Sequence, residues 1–279
     1  MFCIFIFVFI FIYLFLIFPA PASKQKKEPF CGKNIAHRGL HSKDTKIPEN
    51  SLSSFSKAVE AGYGIELDLQ LTRDGKVVVF HDATLERVCG VKEKLEDLTY
   101  QELLSYSLFH TGEKIPLFSE VLSLVNGKVP LVIEIKNGKK NTALCTQVLL
   151  LLRSYSGVYC IESFHPLIVG WFRKYAPDIL RGQLSAPAHE FSNVMPFLYR
   201  FGLSRLLSNF YARPNFIAYR KGKLPWSVQL CLYLGALRFV WTAHPEDNIK
   251  QLTQNNDVII FEFYHPNVSF SSHCLTNRH

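Results

Sequence analysis

Short apolar runs recur along most of the chain and alternate with longer segments whose apolar residues repeat at helical spacing. Parallel β/α units have this pattern, because each buried strand is followed by a helix that covers the sheet. We therefore predict an α/β fold, a (β/α)8 TIM barrel. A doubly wound open sheet is the alternative, but no Gly-x-Gly-x-x-Gly follows the first run. The predicted strands lie near residues 33–37, 64–70, 130–135, 158–162, 179–184, 215–219, 237–242 and 257–262.

The segments between these runs define the predicted organisation of the barrel. Residues 51–61 and 141–152 each carry one apolar stripe and predict amphipathic helices. The connection at about 83–116 is too long for a simple turn, and we interpret it as a small insertion after the second strand. The predicted boundaries are an N-terminal hydrophobic anchor and linker at 1–31, the barrel at 32–268 and a tail at 269–279.

Residues 2–18 form an uncharged apolar run at the short end of what can cross a membrane. A secretory signal normally starts with a basic region, but here Lys24, Lys26 and Lys27 follow the run and no basic residue precedes it. We therefore expect a single-pass membrane anchor, a transmembrane segment that precedes a cytoplasmic domain, with secretion as the alternative. The seven cysteines show no paired spacing, which fits a thiol-reducing compartment.

The net charge of +8 is unevenly distributed, because residues 191–245 contain no Asp or Glu but seven Lys or Arg. Such a region could contact an anionic membrane surface or attract phosphate substrates. The plain alternative is a set of solvated helix faces over a core. No nucleic-acid recognition motif accompanies the charge, and we predict neither a nucleic-acid nor a protein partner.

Polar residues interrupt the apolar pattern where several predicted strands end. Because the carboxyl ends of parallel barrel strands lie on one face, where active sites of such barrels are found, we expect these side chains to converge. The residues concerned are His37, Arg38, Glu66, Asp68, His81, Asp82, Glu134 and Lys136.

Three of these residues are carboxylates that predict a metal site. Glu66 and Asp68 are two residues apart on one strand and project from the same face, and Glu134 and Lys136 repeat that spacing on the next strand. Three carboxylates a few ångströms apart require a cation, and oxygen ligands suit Mg²⁺ or Ca²⁺. We therefore predict a divalent cation held by Glu66, Asp68 and Glu134.

The remaining residues suit chemistry on a phosphate group. Arg38 could bind phosphate oxygens through its guanidinium fork, and Lys136 could bind them as a point charge. His37 and His81 titrate near neutral pH, so they could serve as general acid and base.

Together these residues make the chain resemble the glycerophosphodiester phosphodiesterase family, as a membrane-anchored member of bacterial type. The resemblance covers about residues 32–265. It rests on seven motifs in the family's order: AHRG at 36–39, PENS at 48–51, ELD at 66–68, FHD at 80–82, IEIK at 133–136, ESFHP at 162–166 and WT at 241–242.

The resemblance implies a (β/α)8 barrel that hydrolyses glycerophosphodiesters to glycerol 3-phosphate and an alcohol. It implies that His37 and His81 are the acid–base pair, that Glu66, Asp68 and Glu134 hold the metal, and that Arg38 and Lys136 contact phosphate. Glu49 of the PENS motif is expected to orient a neighbouring site residue.

Three further positions near the motifs are interpreted from their context. Asp82 is expected to orient His81, and Trp241 to form a wall of the substrate pocket. The chain departs from the family at His244 and Glu262, which we interpret as variation of the substrate pocket, peripheral to the chemistry.

Two other functions are compatible with this sequence. One is phospholipase D-like action on a lipid or lyso-lipid substrate. The other is a non-catalytic, membrane-tethered module that binds headgroups through its basic region, although the intact histidines and carboxylates argue against it.

Overall fold

The computed structural model describes residues 2–192, 194–272 and 274. Within this part of the chain, nine strands form one sheet in the order β1-β9-β8-β7-β6-β5-β4-β2-β3. The strands are β1 Lys33–Ala36, β2 Gly64–Leu71, β3 Val77–Val79, β4 Leu131–Ile135, β5 Tyr159–Ser163, β6 Leu180–Ser185, β7 Phe216–Arg220, β8 Leu237–Ala243 and β9 Val258–Phe261.

Eight of these strands are parallel and close into a barrel. Strand β1 pairs in parallel with both β9 and β2, which joins the two ends of the sheet. Strand β3 lies outside the closed barrel, antiparallel to β2. The predicted eight-stranded parallel barrel is therefore confirmed for the described residues.

Helices follow the strands around the barrel. Residues 52–60 and 141–152 are helical, within the two predicted segments, and the first of these helices starts where the Ser51 hydroxyl accepts a hydrogen bond from the Ser54 backbone N–H. The helices are α1 Phe2–Ile17, α2 Lys24–Lys27, α3 Leu52–Glu60, α4 Glu86–Cys89, α5 Tyr100–Leu103, α6 Phe118–Val125, α7 Asn141–Leu152, α8 Pro166–Tyr175, α9 Phe197–Ser204, α10 Asn209–Ala212, α11 Trp226–Tyr233 and α12 Ile249–Asn255.

The barrel strands alternate between two buried environments. Ile65, Leu67 and Leu69 of β2 pack with Phe55 of α3 and Phe118 of α6, in the layer between the strands and the helices. The residues between them on β2 are carboxylates that face the barrel interior. Both faces of β2 are buried, one by the helices and the other by the barrel interior. The strand is therefore almost inaccessible to solvent although it contains acidic residues.

The interior of the barrel is apolar below these carboxylates. Val132 of β4 and Cys160 of β5 belong to a buried cluster that also contains Phe216 and Phe239. Val132 lies two positions before Glu134 on β4, and Cys160 lies two positions before Glu162 on β5. Each acidic side chain is therefore on the same face as the apolar one and nearer the carboxyl end of its strand. The carboxylates thus lie on a buried apolar base.

The segment after β3 contains only short helical turns in the range 83–116. Its buried apolar residues, among them Leu85, Leu95 and Leu103, form a separate cluster with Val78 and Phe80 around β3. This cluster holds the segment against the edge of β2, on the side where α4 reaches the mouth of the barrel.

The N-terminal helix corrects the predicted membrane segment. Helix α1 has 16 residues, which span about 24 Å against the roughly 30 Å of a hydrocarbon core. Its end packs on the barrel: Ile17 is fully buried, and the Arg213 guanidinium donates to the carbonyl oxygens of Phe15 and Phe18 over 3.0 and 2.8 Å. No described helix combines the length and apolarity needed to cross a bilayer, so the predicted anchor and the membrane localisation based on it are wrong.

A second correction concerns the cysteines. Cys31, just before β1, forms a disulfide with Cys274 in the C-terminal segment, with Cα atoms 6.0 Å apart. The cysteine spacing, which we took to fit a thiol-reducing compartment, did not reveal this pair, because residues 243 positions apart in the sequence become neighbours only when the barrel closes. Of the predicted tail at 269–279, residues 273 and 275–279 lie outside the described residues.

Candidate active site

Three predicted carboxylates converge inside the barrel. Asp68 of β2 lies in register with Glu134 of β4, and Glu66 is two residues earlier on β2. One oxygen atom from each of the three carboxylates lies within 4.8 Å of the others, and all three residues are buried. Neighbouring parallel strands bring them together because in-register residues lie side by side.

Burial and mutual repulsion make this cluster a strongly perturbed electrostatic site. Burial, with the charges of Asp68 and Glu134, raises the pKa of Glu66 well above its usual value. Burial also raises the pKa of Glu134, against the opposing effect of Lys136. Burial would raise the pKa of Asp68 too, but Lys136 and neighbouring cations outweigh it and hold that pKa well below its usual range. The protein's own cations thus neutralise only part of the negative charge.

Lys136 follows β4 and lies against two of the carboxylates. Its Nζ is 2.9 Å from Glu134 Oε1 and 3.3 Å from Asp68 Oδ1. Burial by itself would lower the pKa of Lys136, but the charges of Glu134 and Asp68 have the larger effect. The pKa of Lys136 is therefore raised above its usual value, and the ammonium stays charged. A fixed cation therefore borders the carboxylates.

Arg38 follows β1 and contacts the same cluster from another side. Its backbone N–H donates to Glu66 Oε2 over 3.0 Å, and its Nε lies 3.4 Å from Asp68 Oδ2. Its Nη1 donates to Glu49 Oε1 over 2.7 Å. Glu49 therefore holds the guanidinium beside Asp68.

His81 and Asp82 form a hydrogen-bonded pair at the rim of the site. Asp82 Oδ1 is 2.6 Å from Nδ1 of His81, so a proton on Nδ1 leaves Nε2 as the free nitrogen. His81 is one-third exposed, which gives the ring access to solvent and to a ligand.

Arg87 of α4 was not identified from the sequence. Its Nε donates to Asp82 Oδ2 over 2.6 Å, and its two terminal nitrogens donate to the carboxylate of Glu49 over 2.7 and 2.9 Å. Arg87 thus links Asp82, which contacts His81, to Glu49, which contacts Arg38. The nearby sequence ATLERVCG contains no distinguishing motif, and only the packing of the 83–116 segment brings Arg87 to the site.

His37 lies beside a group of residues that the sequence analysis placed at the periphery. Its Nδ1 is 3.1 Å from Glu262 Oε1, and its Nε2 is 3.9 Å from Glu66 Oε2. Burial, with the charge of Arg38, lowers the pKa of His37, and Glu262 partly offsets this. Glu262 also contacts His41 and His244. Both positions that were predicted to be peripheral therefore connect to His37, Glu262 directly and His244 through Glu262.

Glu162 is a fourth carboxylate in this layer, in register with Glu134 on β5. It is buried, and burial raises its pKa well above the usual value, with Glu134 and Asp68 adding to the effect. The ESFHP motif contains this residue, but the sequence analysis gave it no role.

Trp241 lies on β8, away from the carboxylates. Its ring packs edge-to-face on Phe164 and under the guanidinium of Arg220, with a ring–guanidinium distance of 5.7 Å. Its Nε1 donates to the Ala218 carbonyl over 3.2 Å. The indole is therefore held in one orientation at the carboxyl ends of the strands.

Comparison with known proteins identifies a family. A model of the Glycerophosphoryl diester phosphodiesterase family matches residues 37–263. A glycerophosphodiester phosphodiesterase of Caldanaerobacter subterraneus is 42% identical over 113 residues, which cover 37% of this chain and 45% of that protein. A lysophospholipase D of Rattus norvegicus is 34% identical over 145 residues, which cover 47% of this chain and 44% of that protein. The chain thus spans less than half the length of either of these curated relatives.

The fold also matches a solved structure. The crystal structure of a glycerophosphodiester phosphodiesterase from Thermotoga maritima superposes with a TM-score of 0.62 at 26% identity. The match covers 82% of this chain and 94% of that one. The barrel fold therefore corresponds to a known architecture.

Proposed function

Because the chain belongs to the glycerophosphoryl diester phosphodiesterase family, we propose that it hydrolyses glycerophosphodiesters to glycerol 3-phosphate and an alcohol. One observation carries the proposal. Two histidines, His37 and His81, flank a buried carboxylate cluster that also borders Arg38 and Lys136. This combination supplies a cation site, phosphate-binding charge and two proton-transfer groups.

The carboxylates fit a divalent cation. Glu66, Asp68 and Glu134 offer oxygen atoms within 4.8 Å of one another. The buried Oδ1 of Asp68 accepts no hydrogen bond, although Lys136 Nζ lies 3.3 Å away as an ion-pair partner. All-oxygen ligation suits Mg²⁺ or Ca²⁺, and such a cation, when bound, would polarise the phosphoryl oxygens.

Arg38 and Lys136 bind and orient the phosphate in this proposal. The side chains of both are less than one-fifth exposed and are held by carboxylates, so little side-chain entropy is lost when a phosphate binds. Their positive charges stabilise the negative charge that accumulates on the phosphoryl oxygens as the diester reacts. Trp241 would form part of the pocket wall for the remainder of the substrate.

His37 and His81 transfer the two protons that hydrolysis requires. One histidine removes a proton from the attacking oxygen while that oxygen forms its bond to phosphorus. The other gives a proton to the departing alkoxide as its bond to phosphorus breaks. Each has Nδ1 engaged by a carboxylate, which leaves Nε2 for the transfer. The same two roles apply whether water or the glycerol 2-hydroxyl attacks first.

The test follows glycerol 3-phosphate released from glycerophosphocholine, glycerophosphoethanolamine and glycerophosphoglycerol. We expect product that disappears with chelator, returns with Mg²⁺ or Ca²⁺, and is lost in His37→Ala. His189→Ala is the matched control, because His189 is 81% exposed and pairs only weakly with Glu190. Absence of product from all three substrates with either cation present would contradict the proposal.

A lyso-lipid is the second candidate substrate. The similarity to a lysophospholipase D supports it, as do exposed apolar side chains such as Val194 and Leu198, which are 93% and 80% accessible. Choline release from lysophosphatidylcholine that is faster than release from glycerophosphocholine would favour this substrate. The reverse order would favour the glycerophosphodiester.

A further inference from the structure

We propose that Glu262 is a positioning residue, which holds His37 with its proton on Nδ1 and its Nε2 free toward the carboxylate cluster. The proposal rests on the proposed role of His37 in proton transfer. From the sequence, Glu262 was predicted to be peripheral to the chemistry.

The barrel itself places the two side chains together. Strands β1 and β9 pair in parallel, with Ala36 in register with Phe261. His37 and Glu262 are the next residues on these two strands, and the His37 backbone N–H donates to the Phe261 carbonyl over 3.0 Å. The two side chains therefore leave neighbouring positions at the closure of the barrel.

The donor pattern around Glu262 determines where the protons are. A carboxylate only accepts hydrogen bonds, so each nitrogen that faces it at hydrogen-bond distance carries a proton. Nδ1 of His37 and Nε2 of His41 lie 3.1 and 2.9 Å from Oε1. Burial would raise the pKa of Glu262, but the hydrogen bonds from His37 and His41 outweigh it and keep the group ionised.

The other carboxylate oxygen of Glu262, Oε2, also has a hydrogen-bond partner. Nε2 of His244 lies 3.2 Å from Oε2, and Nζ of Lys221 lies 3.0 Å from Nδ1 of the same ring. A lysine ammonium only donates, so Nδ1 of His244 accepts and the ring proton is on Nε2, facing Glu262. Lys221 is in turn held by Asp247 at 2.6 Å. The chain of contacts thus fixes Glu262 as an acceptor for three imidazoles.

His37 and His81 consequently have the same arrangement. Asp82 faces Nδ1 of His81 at 2.6 Å, and Glu262 faces Nδ1 of His37 at 3.1 Å. A carboxylate at one ring nitrogen selects the tautomer and the ring orientation of a histidine. For His37 this orientation directs Nε2 to within 3.9 Å of Glu66 Oε2, at the edge of the carboxylate cluster.

The first test measures protonation rather than activity. In the full-length protein with ¹⁵N-labelled histidine, NMR should show the His37 ring, assigned from its absence in His37→Gln, with its proton on Nδ1. In Glu262→Met the ratio of the Nδ1–H to the Nε2–H form should fall at least about tenfold, because the charged acceptor is gone. Glu246→Met is the control, because Glu246 is 74% exposed and reaches His244 only at 4.0 Å.

The second test separates positioning from binding. We expect Glu262→Met to lower kcat roughly 10- to 100-fold, a part of the ~10²- to 10⁴-fold that a positioned acid–base contributes, with KM changed less than about twofold. Glu262→Asp keeps a carboxylate and should lose less activity than Glu262→Met. Glu246→Met should match the wild type.

The outcomes are distinguishable from failure of the proposed function. If the wild-type protein turns over no substrate, the proposed function fails and the NMR measurement still decides the role of Glu262. A wild-type His37 without a proton on Nδ1 would overturn the inference even if Glu262→Met does not fold. An unchanged tautomer ratio and an unchanged kcat in a folded Glu262→Met protein would overturn it as well.

Discussion

Arg87 supports the candidate site from outside the central cluster of Glu66, Asp68 and Glu134. It binds Asp82 and Glu49, which in turn hold His81 and Arg38. Burial would raise the pKa of Asp82, but the hydrogen bonds from His81 and Arg87 outweigh it and hold that pKa well below its usual range. One arginine on a short helix thus helps to keep both supporting carboxylates ionised and in place.

Replacing Arg87 by Met should therefore reduce activity without removing any proposed catalytic group. We expect kcat to fall about tenfold or more, because Asp82 and Glu49 lose a charge-assisted partner and His81 and Arg38 lose their fixed orientation. The measurement is steady-state kinetics on glycerophosphocholine. Arg73→Met is the control, since Arg73 pairs with Glu102 on the far side of the same segment. Equal losses in both variants would refute this role.

Lys136 has two opposing effects that one substitution can separate. Its ammonium neutralises Glu134 and Asp68, so it competes with a metal cation, yet it also provides charge for a phosphate. Lys136→Met should bind Mg²⁺ or Ca²⁺ about tenfold more tightly in calorimetry but have a lower kcat/KM. Weaker cation binding by the variant would show that Lys136 organises the carboxylates rather than competing with the cation.

At the scale of elements, the packing of β6 against β7 requires a glycine at position 182. A Cβ on Gly182 of β6 would overlap the ring of Phe216 on β7. That ring is fully buried and stacks on Phe239 with ring centroids 4.1 Å apart, so it has no space to withdraw. The glycine is therefore required by the packing of the apolar base inside the barrel.

Gly182→Ala should lower the free energy of unfolding by about 1–3 kcal/mol, as expected when a well-packed core is overfilled. Urea denaturation followed by circular dichroism measures this. Gly202→Ala on α9 is the matched control, because a Cβ there meets no atom within 4 Å. That variant should be neutral or slightly stabilised, since alanine favours a helix over glycine. A Gly182→Ala protein as stable as the control would contradict the packing argument.

Helix α1 depends on Arg213 in a comparable way. The guanidinium donates to two carbonyls at the end of the helix and lies 4.7 Å from the ring of Phe15. A cation at a helix C-terminus satisfies the last carbonyls and interacts favourably with the helix dipole.

In Arg213→Met, backbone amides near the end of α1 should exchange with deuterium at least about tenfold faster, because the helix end loses its attachment to the barrel. Mass spectrometry of the N-terminal peptides measures this. Arg205→Met is the control, since Arg205 packs on the ring of Phe201 in α9. Unchanged exchange in Arg213→Met would show that the apolar contacts of Ile17 and its neighbours hold the helix alone.

At the scale of the whole molecule, the carboxylate cluster is a local source of instability that a cation should remove. Glu66, Asp68 and Glu134 are buried close together. The neighbouring cations Lys136 and Arg38 neutralise only part of their negative charge. A ligand that binds only the folded protein stabilises it by mass action, by about 2.7 kcal/mol at 100 times its Kd.

Saturating Mg²⁺ or Ca²⁺ should accordingly raise Tm by roughly 5–10 °C for a chain of this size. Differential scanning fluorimetry measures the shift, with K⁺ at matched ionic strength as the control. Glu66→Gln should abolish most of the shift, because it removes one oxygen ligand charge. A shift of equal size in Glu66→Gln would place the cation elsewhere.

Much of the site could be predicted from the sequence because its residues follow strand ends, where alternation and spacing are readable. Glu66 and Asp68 had to share a face, and the β2–β4 register then brought Glu134 beside them, as the barrel prediction implied. The predicted α1 anchor failed for a different reason. Apolarity alone does not fix the length of a helix, and α1 has only 16 residues, with Ile17 at its end buried on the barrel.

The sequence by itself determined the eight-stranded parallel barrel and the positions of its histidines and carboxylates, because strand periodicity and strand-end polarity are local properties of the chain. Only the tertiary structure decided the partners of those residues. Glu262 meets His37 across 225 residues, and Arg87 meets Glu49 across 38. Such contacts depend on barrel closure and on the packing of an irregular segment, and neither leaves a periodic signal in the sequence. Asp82 and Glu49 could be proposed as supports from their motifs, but the contacts of Glu262 and Arg87 emerged only when the strands were placed side by side.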